Sequence, residues 1–221
     1  MIYLHETYEI AGGRMAEFLE AYRDRRGLFA RGNARVLWLW EQAHGTGPSY
    51  RAVSVTAVAD WSSWAELVGR WSRGGDLRAW DRAVAPFVRE RTAKLLLPVS
   101  WSPLGEPELG TAEPLPHGGH LYLHDTGWPF PGKLEEYVDA LGEVFYPQTR
   151  RSRMISVEAC WTVCPGTGKS REVVLLQKIL DWEAFSRLLT SGERPARSGD
   201  WMEVGLRYRD SWESKLLRPV S

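Results

Sequence analysis

The chain has 221 residues, 43% of them hydrophobic, with 28 Lys+Arg against 28 Asp+Glu, so it has apolar material for a real core and no net charge. A balanced charge gives no electrostatic drive toward nucleic acid or an anionic membrane. No apolar run reaches the roughly 20 residues of a membrane span, and the start, MIYLHETYEI, has neither a basic leader nor an apolar signal core, which makes a cytoplasmic protein the expectation.

The opening MIYLHETYEI has strand composition and ends at Gly12-Gly13. Met15, Phe18, Leu19 and Tyr22 then recur at i, i+3, i+4, i+7, a helical stripe. ARVLWLWEQ, the turn HGTGPS and YRAVSVTAVA predict a β-hairpin. Asp60 is the expected N-cap of a helix whose stripe is Trp61, Trp64, Val68 and Trp71, read as core. Gly74-Gly75 interrupts it, a second helical run carries Leu77, Trp80, Val84 and Phe87, and KLLLPVS closes the unit as a short strand.

The same order then repeats. YLHET at 3–7 returns as YLHDT at 122–126, so His5 maps onto His124 with an offset of 124 − 5 = 119. Gly45-Thr46-Gly47 returns at 166–168, Asp60-Trp61 at 181–182 and Lys94 of KLLLPVS as Lys215 of KLLRPVS, each 121 residues on. Four landmarks in one order, separated by a two-residue indel, identify a tandem duplication. Strand GHLYLHDT, a helix bearing Leu134, Tyr137, Val138 and Leu141, and a hairpin from SVEACWTV to REVVLLQKIL make up the second copy. A helix from Asp181 with Trp182, Phe185 and Leu189 on one face follows, then a polar loop, TSGERPARSGD, and a last helical run with Trp201, Val204 and Tyr208. The expected organisation is a first repeat over 1–104, a Pro/Gly-rich linker over 105–118 and a second repeat over 119–221.

A β-α-β-β-α-β unit is ferredoxin-like, with both helices on one face of a four-stranded sheet. The fold class is α+β: two such units, each with an open sheet face that the other can cover, closing as an intramolecular barrel. The expected assembly is therefore a monomer, a pseudo-dimer in one chain, or a homodimer of it.

MIYLHETYEIAGGRMAEFLEAY resembles the opening of NIPSNAP-type proteins, and DWSSWAEL and LLLPVSWSPL resemble their later landmarks. The resemblance covers nearly the whole chain, twice, and implies the dimeric α+β barrel superfamily. That superfamily includes cofactor-free monooxygenases, muconolactone-isomerase-like enzymes, haem enzymes and proteins of no known activity.

Alternation along a strand puts Ile2 and Leu4 on the helix side and Tyr3, His5 and Thr7 on the other. In the second copy Tyr122, His124 and Thr126 oppose Leu121 and Leu123. His124 and His5 are the candidate acid/base groups, with Tyr122, Tyr3 and Glu158 beside them. Thr7, Thr126, Thr56, Gln177, Trp40 and Trp161 are candidates for substrate contact. Ser54 and Thr56 are read as facing inward because Val53, Val55 and Ala57 alternate with them, and Gln177 takes the position of Thr56. The same alternation puts Ser156, Glu158, Cys160 and Thr162 on one face. Glu6 and Asp125 point away from the neighbouring histidines, so no His–carboxylate dyad forms within the pentapeptide.

GTGKS at 166–170 resembles the end of a phosphate loop, but Val163 stands where that motif needs Gly and strands flank it on both sides, so a hairpin turn is expected. Cys160 and Cys164 lie about 13 Å apart on a strand, too far for a disulfide. His120 and His124 are separated by the same distance, too far for one metal. The expected function is an enzyme holding a small, largely apolar or aromatic metabolite, with His-mediated proton transfer of the isomerase, cyclase, dehydratase or cofactor-independent monooxygenase type and no bound cofactor or metal. The alternative is a ligand-binding or scaffold protein without turnover.

Overall fold

The computed structural model describes residues 1–72, 74–190 and 200–220; most of the polar loop TSGERPARSGD lies outside them. Eight strands and seven helices follow in chain order: β1 (Ile2–Ile10), α1 (Met15–Ala30), β2 (Ala34–Gln42), β3 (Arg51–Val58), α2 (Trp61–Ser72), α3 (Asp76–Val84), β4 (Val88–Pro98), β5 (Tyr122–Trp128), α4 (Leu134–Ala140), α5 (Tyr146–Ser152), β6 (Ile155–Val163), β7 (Val173–Ile179), α6 (Trp182–Thr190), α7 (Trp201–Val204) and β8 (Ser211–Pro219). This is an α+β protein built from two β-α-β-β-α-β passes. Hydrogen-bonded strand neighbours run β1-β3-β2-β8-β5-β7-β6-β4, a closed barrel order.

Two compact units divide the chain. Unit 1 takes Met1–Leu97, Glu106–Gly119 and the residues from Leu217 on; unit 2 takes Pro98–Gly105 and His120–Leu216. The last pairing of unit 1 is therefore made by the end of the chain, where Leu217 opposes Gln42 and Pro219 opposes Trp40. The segment before the second repeat is bound to unit 1. Leu115 N donates to the Leu37 carbonyl at 2.8 Å, and Arg35 Nε donates to the Glu113 carbonyl at 2.7 Å.

Landmarks of the two copies coincide at the level of single bonds. Asp60 Oδ1 caps α2 by accepting from Ser63 N at 2.8 Å, and Asp181 Oδ1 accepts from Ala184 N at 2.9 Å. In the hairpin turns, Thr46 Oγ1 donates to the Ala43 carbonyl and Thr167 Oγ1 to the Cys164 carbonyl, at 2.7 and 2.8 Å. GTGKS is thus a β6–β7 hairpin turn. The two cysteines are free thiols.

The indel resolves into physical steps. Gly13 and Gly132 both turn the chain at left-handed φ, of 80° and 78°, an offset of 132 − 13 = 119. The chain leaves these helices for the next strand through left-handed Asn33 and Arg153, an offset of 153 − 33 = 120. One extra residue lies between those markers in the second copy, and there α4 passes through a π-helical turn, Leu141–Phe145, before α5. A wider i→i+5 turn absorbs one residue without breaking the helix. Pro147, which lacks an N–H, sits in the first turn of α5, and Gly142 packs against Trp101, whose Cδ1 would lie 2.6 Å from a Cβ there.

Three expectations need correction. Of the helical stripes, Trp61, Val68, Trp182 and Leu189 are exposed, and α2 buries Ser63 and Leu67 instead. Trp61 and Trp182 occupy the first helical position after their Asp caps. The closing strand of the first copy is longer than KLLLPVS, because charged residues of β4 pair with β1: Arg91 opposes Tyr8 and Glu90 opposes Glu9. The face shared by Ser156, Glu158, Cys160 and Thr162 does not exist either, since the register shifts at Glu158.

Candidate functional site

Cross-strand register fixes which residues share a face, because directly opposed residues point the same way. In unit 1, Glu6 opposes Ser54 and Leu4 opposes Thr56, while His5 opposes Val55 and Thr7 opposes Val53. The Glu6 side contacts α1: Arg25 donates both Nη1 and Nη2 to the carboxylate, at 2.6 and 2.9 Å. Tyr3, His5 and Thr7 consequently face away from the helices of their own unit, as expected. Thr56 does not join them; with Ser54 it lies on the helix side.

In unit 2, Asp125 opposes Leu175, and Leu175 packs with Cys160, Tyr137 and Trp201 beneath the helices. Gln177 Nε2 donates to Asp125 Oδ2 at 2.7 Å. Gln177, like Thr56, is therefore on the helix side and away from His124. The physical reason is common to both: each copy turns a carboxylate of the pentapeptide toward its helices, fully buried for Glu6 and partly for Asp125, and polar side chains of the neighbouring strand gather round it.

Trp40 and Trp161 do join the histidine faces. Trp40 opposes Val53, across from Thr7, and Trp161 opposes Val174, across from Thr126. Both are fully buried. Trp38 stacks on Trp40 with centroids 5.5 Å apart, and the His117 ring stands edge-on to Trp40 at 6.1 Å.

A β-bulge breaks the alternation at the same place in each copy. Register shifts between Val36 and Trp38, and between Val157 and Ala159. The extra residues are Leu37 and Glu158, which are 121 apart. Unit 1 buries Leu37 completely. Unit 2 places Glu158 Oε2 3.1 Å from Lys178 Nζ, with both side chains about one-fifth exposed. Lys178 opposes Tyr122, and its ammonium stands 5.7 Å from the centre of that ring. At the matching position of unit 1, Tyr3 opposes Ala57.

The face of β5–β7 turned from its helices thus carries His124, Tyr122, Thr126, Glu158 and Lys178, with Trp161 alongside. Tyr122 and His124 are both buried. Burial first, then the nearby Glu158 charge, push the Tyr122 phenol well above its ordinary range, so it is a hydrogen-bond donor at any physiological pH. Tyr3 is pushed up to about 12 by burial and by Glu106. Lys178 is the residue that alternation along single strands did not single out; the signal for it is a charge inside the apolar run VVLLQKI.

His120 Nδ1 lies 2.9 Å from the Ile179 carbonyl. Among the described residues, no three of His, Cys, Asp or Glu gather closely enough to hold a metal ion. None of their helices is long and apolar enough to cross a membrane.

No protein-family model matches the chain, and no curated protein sequence does. Solved structures do. An anthrone oxidase-like protein, 10% identical, aligns over 100% of this chain and 91% of its own with a TM-score of 0.66. A candidate monooxygenase from Lactobacillus acidophilus NCFM, 9% identical, aligns over 99% of this chain and 93% of its own at 0.64. A NIPSNAP domain protein from Burkholderia xenovorans, 25% identical, aligns over 47% of this chain and 99% of its own at 0.40. The full-length matches show that the whole chain has the fold those proteins share, the α+β barrel expected of a duplicated ferredoxin-like unit.

Proposed function

We propose that the protein is an enzyme that moves a proton on a small, largely apolar or aromatic metabolite, with His124 as the acid/base group. The observation that carries this reading is the pairing of Lys178 with Glu158 beside Tyr122, on the sheet face that also bears His124. The first repeat has Ala57 and Leu37 at the positions of Lys178 and Glu158, so the polar set is particular to the second.

The roles follow from the chemistry of the groups. A neutral imidazole near pH 7 can take a proton from an activated C–H or O–H and return it elsewhere on the product. The negative charge that this leaves on the substrate is offset by the Lys178 ammonium and by the phenolic hydrogen of Tyr122. Glu158 holds Lys178 in place. Trp161 and Thr126 supply apolar surface and one hydroxyl on the same face. Isomerisation, cyclisation and dehydration need no more than this. The names of the full-length structural neighbours add oxygenation of an electron-rich substrate, with dioxygen as oxidant, to the reactions worth assaying.

The test begins with mass spectrometry of small molecules that co-purify with the protein, followed by turnover assays on those compounds. His124→Asn should lower turnover by about 10²–10⁴-fold, the usual weight of a general acid/base, with the melting temperature unchanged. His5→Asn should have a smaller effect. Full turnover in the His5→Asn/His124→Asn double variant would refute the role given to the histidines, and no turnover of any co-purifying compound by the parent protein would leave ligand binding without catalysis in its place.

A further inference from the structure

On the helix side of unit 1, away from the histidine face, an open cleft of about 470 Å³ is lined by Trp71, Arg78, Asp81, Arg82, Ala85 and Arg91. Its construction is local. Arg78, Asp81, Arg82 and Ala85 fall at i, i+3, i+4 and i+7 on α3, so one helix face presents them together. Arg91 comes from β4, and Trp71 from the last turn of α2.

The charges of the cleft do not cancel. Arg91 is already engaged, donating Nε to Glu6 Oε1 at 2.8 Å and Nη1 to Asp81 Oδ1 at 2.9 Å. Asp81 is thereby matched. Among the described residues Arg78 makes a single long bond, 3.5 Å, to the Ser72 carbonyl. Neither Arg78 nor Arg82 has a carboxylate partner among the described residues. Asp81 and Glu6 are taken by Arg91, and Asp76 by Arg31 and Arg70, so the two guanidinium groups of Arg78 and Arg82 have no counter-charge among the described residues.

Trp71 walls the same cleft. The indole Nε1 of Trp71 is shielded from solvent and has no hydrogen-bond acceptor among the described residues. A buried N–H without an acceptor is costly. Shielded as it is, that N–H is not open to the cleft, so the ring stands beside an incoming oxyanion and the two arginines supply the donors. The second repeat does not reproduce the arrangement: Met202, Glu203 and Trp212 stand 121 residues after Asp81, Arg82 and Arg91.

We infer that this cleft is a binding site for a small oxyanion, a phosphate or carboxylate group, held by Arg78 and Arg82 beside the Trp71 ring. Guanidinium groups recognise such anions by charge-assisted, often bidentate hydrogen bonds. The site is separate from the proposed proton-transfer face and does not depend on that reading.

Indole N–H resonances of the protein, labelled with nitrogen-15 on tryptophan, test it. Titration with inorganic phosphate, and separately with acetate, at constant ionic strength in a chloride background should shift the Trp71 signal saturably with at least one anion. Trp71→Phe assigns that signal. The arm that saturates tells phosphate from carboxylate recognition. In Arg78→Ala/Arg82→Ala, two surface substitutions that leave the Glu6–Arg91–Asp81 chain whole, the half-saturating concentration should rise at least about tenfold per charge-assisted bond lost. No saturable shift with either anion, an equal shift with added chloride, or unchanged binding in the double variant would each overturn the proposal.

Discussion

Glu6 and Asp125 are the one difference between the repeated pentapeptides, and their surroundings differ far more than one methylene would suggest. Burial alone pushes the Glu6 carboxyl up, but Arg25 and Arg91, by charge and by hydrogen bonds, overcome it and hold the group at about 2, below its ordinary 4.5. Arg25 is itself fully buried, bonded to Tyr8 and Tyr22 and lying 4.5 Å from the Trp80 ring centre and 4.7 Å from that of Phe29. Among the described residues no arginine hydrogen-bonds to Asp125; Arg209 acts on it by charge alone. Ser214, Arg209 and Gln177 pull its carboxyl down, yet burial wins and pushes it up to about 6. Position 144, which matches Arg25 at the offset of 119, is Val144. The lesson is that a carboxylate beneath the helices is governed by whether an arginine bonds to it directly, and that the two copies have settled this in opposite ways.

Removing the arginine should have the largest effect. Arg25→Met leaves Glu6 buried beside Arg91 alone, and loss of one partner of a buried pair costs about 3–5 kcal/mol. Chemical denaturation should show this fall, and Glu6→Gln added to Arg25→Met should recover part of it. If the double variant is no more stable than the single one, the aromatic contacts of Arg25, rather than its charge, hold unit 1 together.

Unit 2 replaces Tyr8 by Gly127, at the same offset of 119, and fills the space from the helix. Tyr137, where unit 1 has Phe18, sends its hydroxyl so close that a Cβ on Gly127 would stand 2.6 Å from it. Arg209 Nε donates to that hydroxyl at 2.7 Å, which fixes the ring. Gly127→Ala should therefore destabilise by about 1–3 kcal/mol, the cost of overpacking. Tyr137→Phe should restore some of the loss in the double variant, an outcome that thermal melting can read.

The pH dependence should be the smallest effect and the one that separates the two carboxylates by sign. Asp125 has a folded pKa above its ordinary 3.8, so between about 4 and 6 the native state holds the proton more tightly than the unfolded chain. Its contribution to stability accordingly falls as pH rises through that window. Two pKa steps amount to about 2–3 kcal/mol at full burial; because Asp125 keeps some exposure, about 1–2 kcal/mol is expected. Asp125→Asn should flatten stability between pH 4 and 6. Glu6 acts in the opposite sense: its contribution is complete above about 4.5 and is lost as pH falls toward 2. Denaturation midpoints of the parent and Asp125→Asn across pH 4–7 check the first sign.

Much of this was legible in the residues. The duplication, the order of elements, the Asp60 and Asp181 caps, and the faces of His5 and His124 follow from spacing and alternation. Thr56 and Gln177 were misplaced because alternation gives two faces without saying which is which, and polarity then suggested the wrong one. Only the register that sets Ser54 against Glu6 and the bond from Gln177 to Asp125 shows that the helix side is the polar one here. Phe18, Tyr22, Arg25 and Phe29 lie along one helical stripe, so an arginine among aromatics was visible; its buried partner on β1 was not, since glutamate on a strand is usually solvated. Glu158 and Lys178 needed the bulge, which shifts parity where a strand pattern shows nothing.

That bulge bears on how a duplicated gene product can diverge. A bulged residue adds a side chain without taking a place in the ladder, so its identity is loosely tied to strand pairing. Val36 and Val157 on one side of it, and Trp40 and Trp161 a little beyond on the other, are the same in both copies, while the bulged position itself is Leu37 in one and Glu158 in the other. After duplication, each copy had one position on this strand where a new chemical character could be tried while the sheet stayed intact. An evolutionary or laboratory search for altered activity in this chain would begin at those two positions.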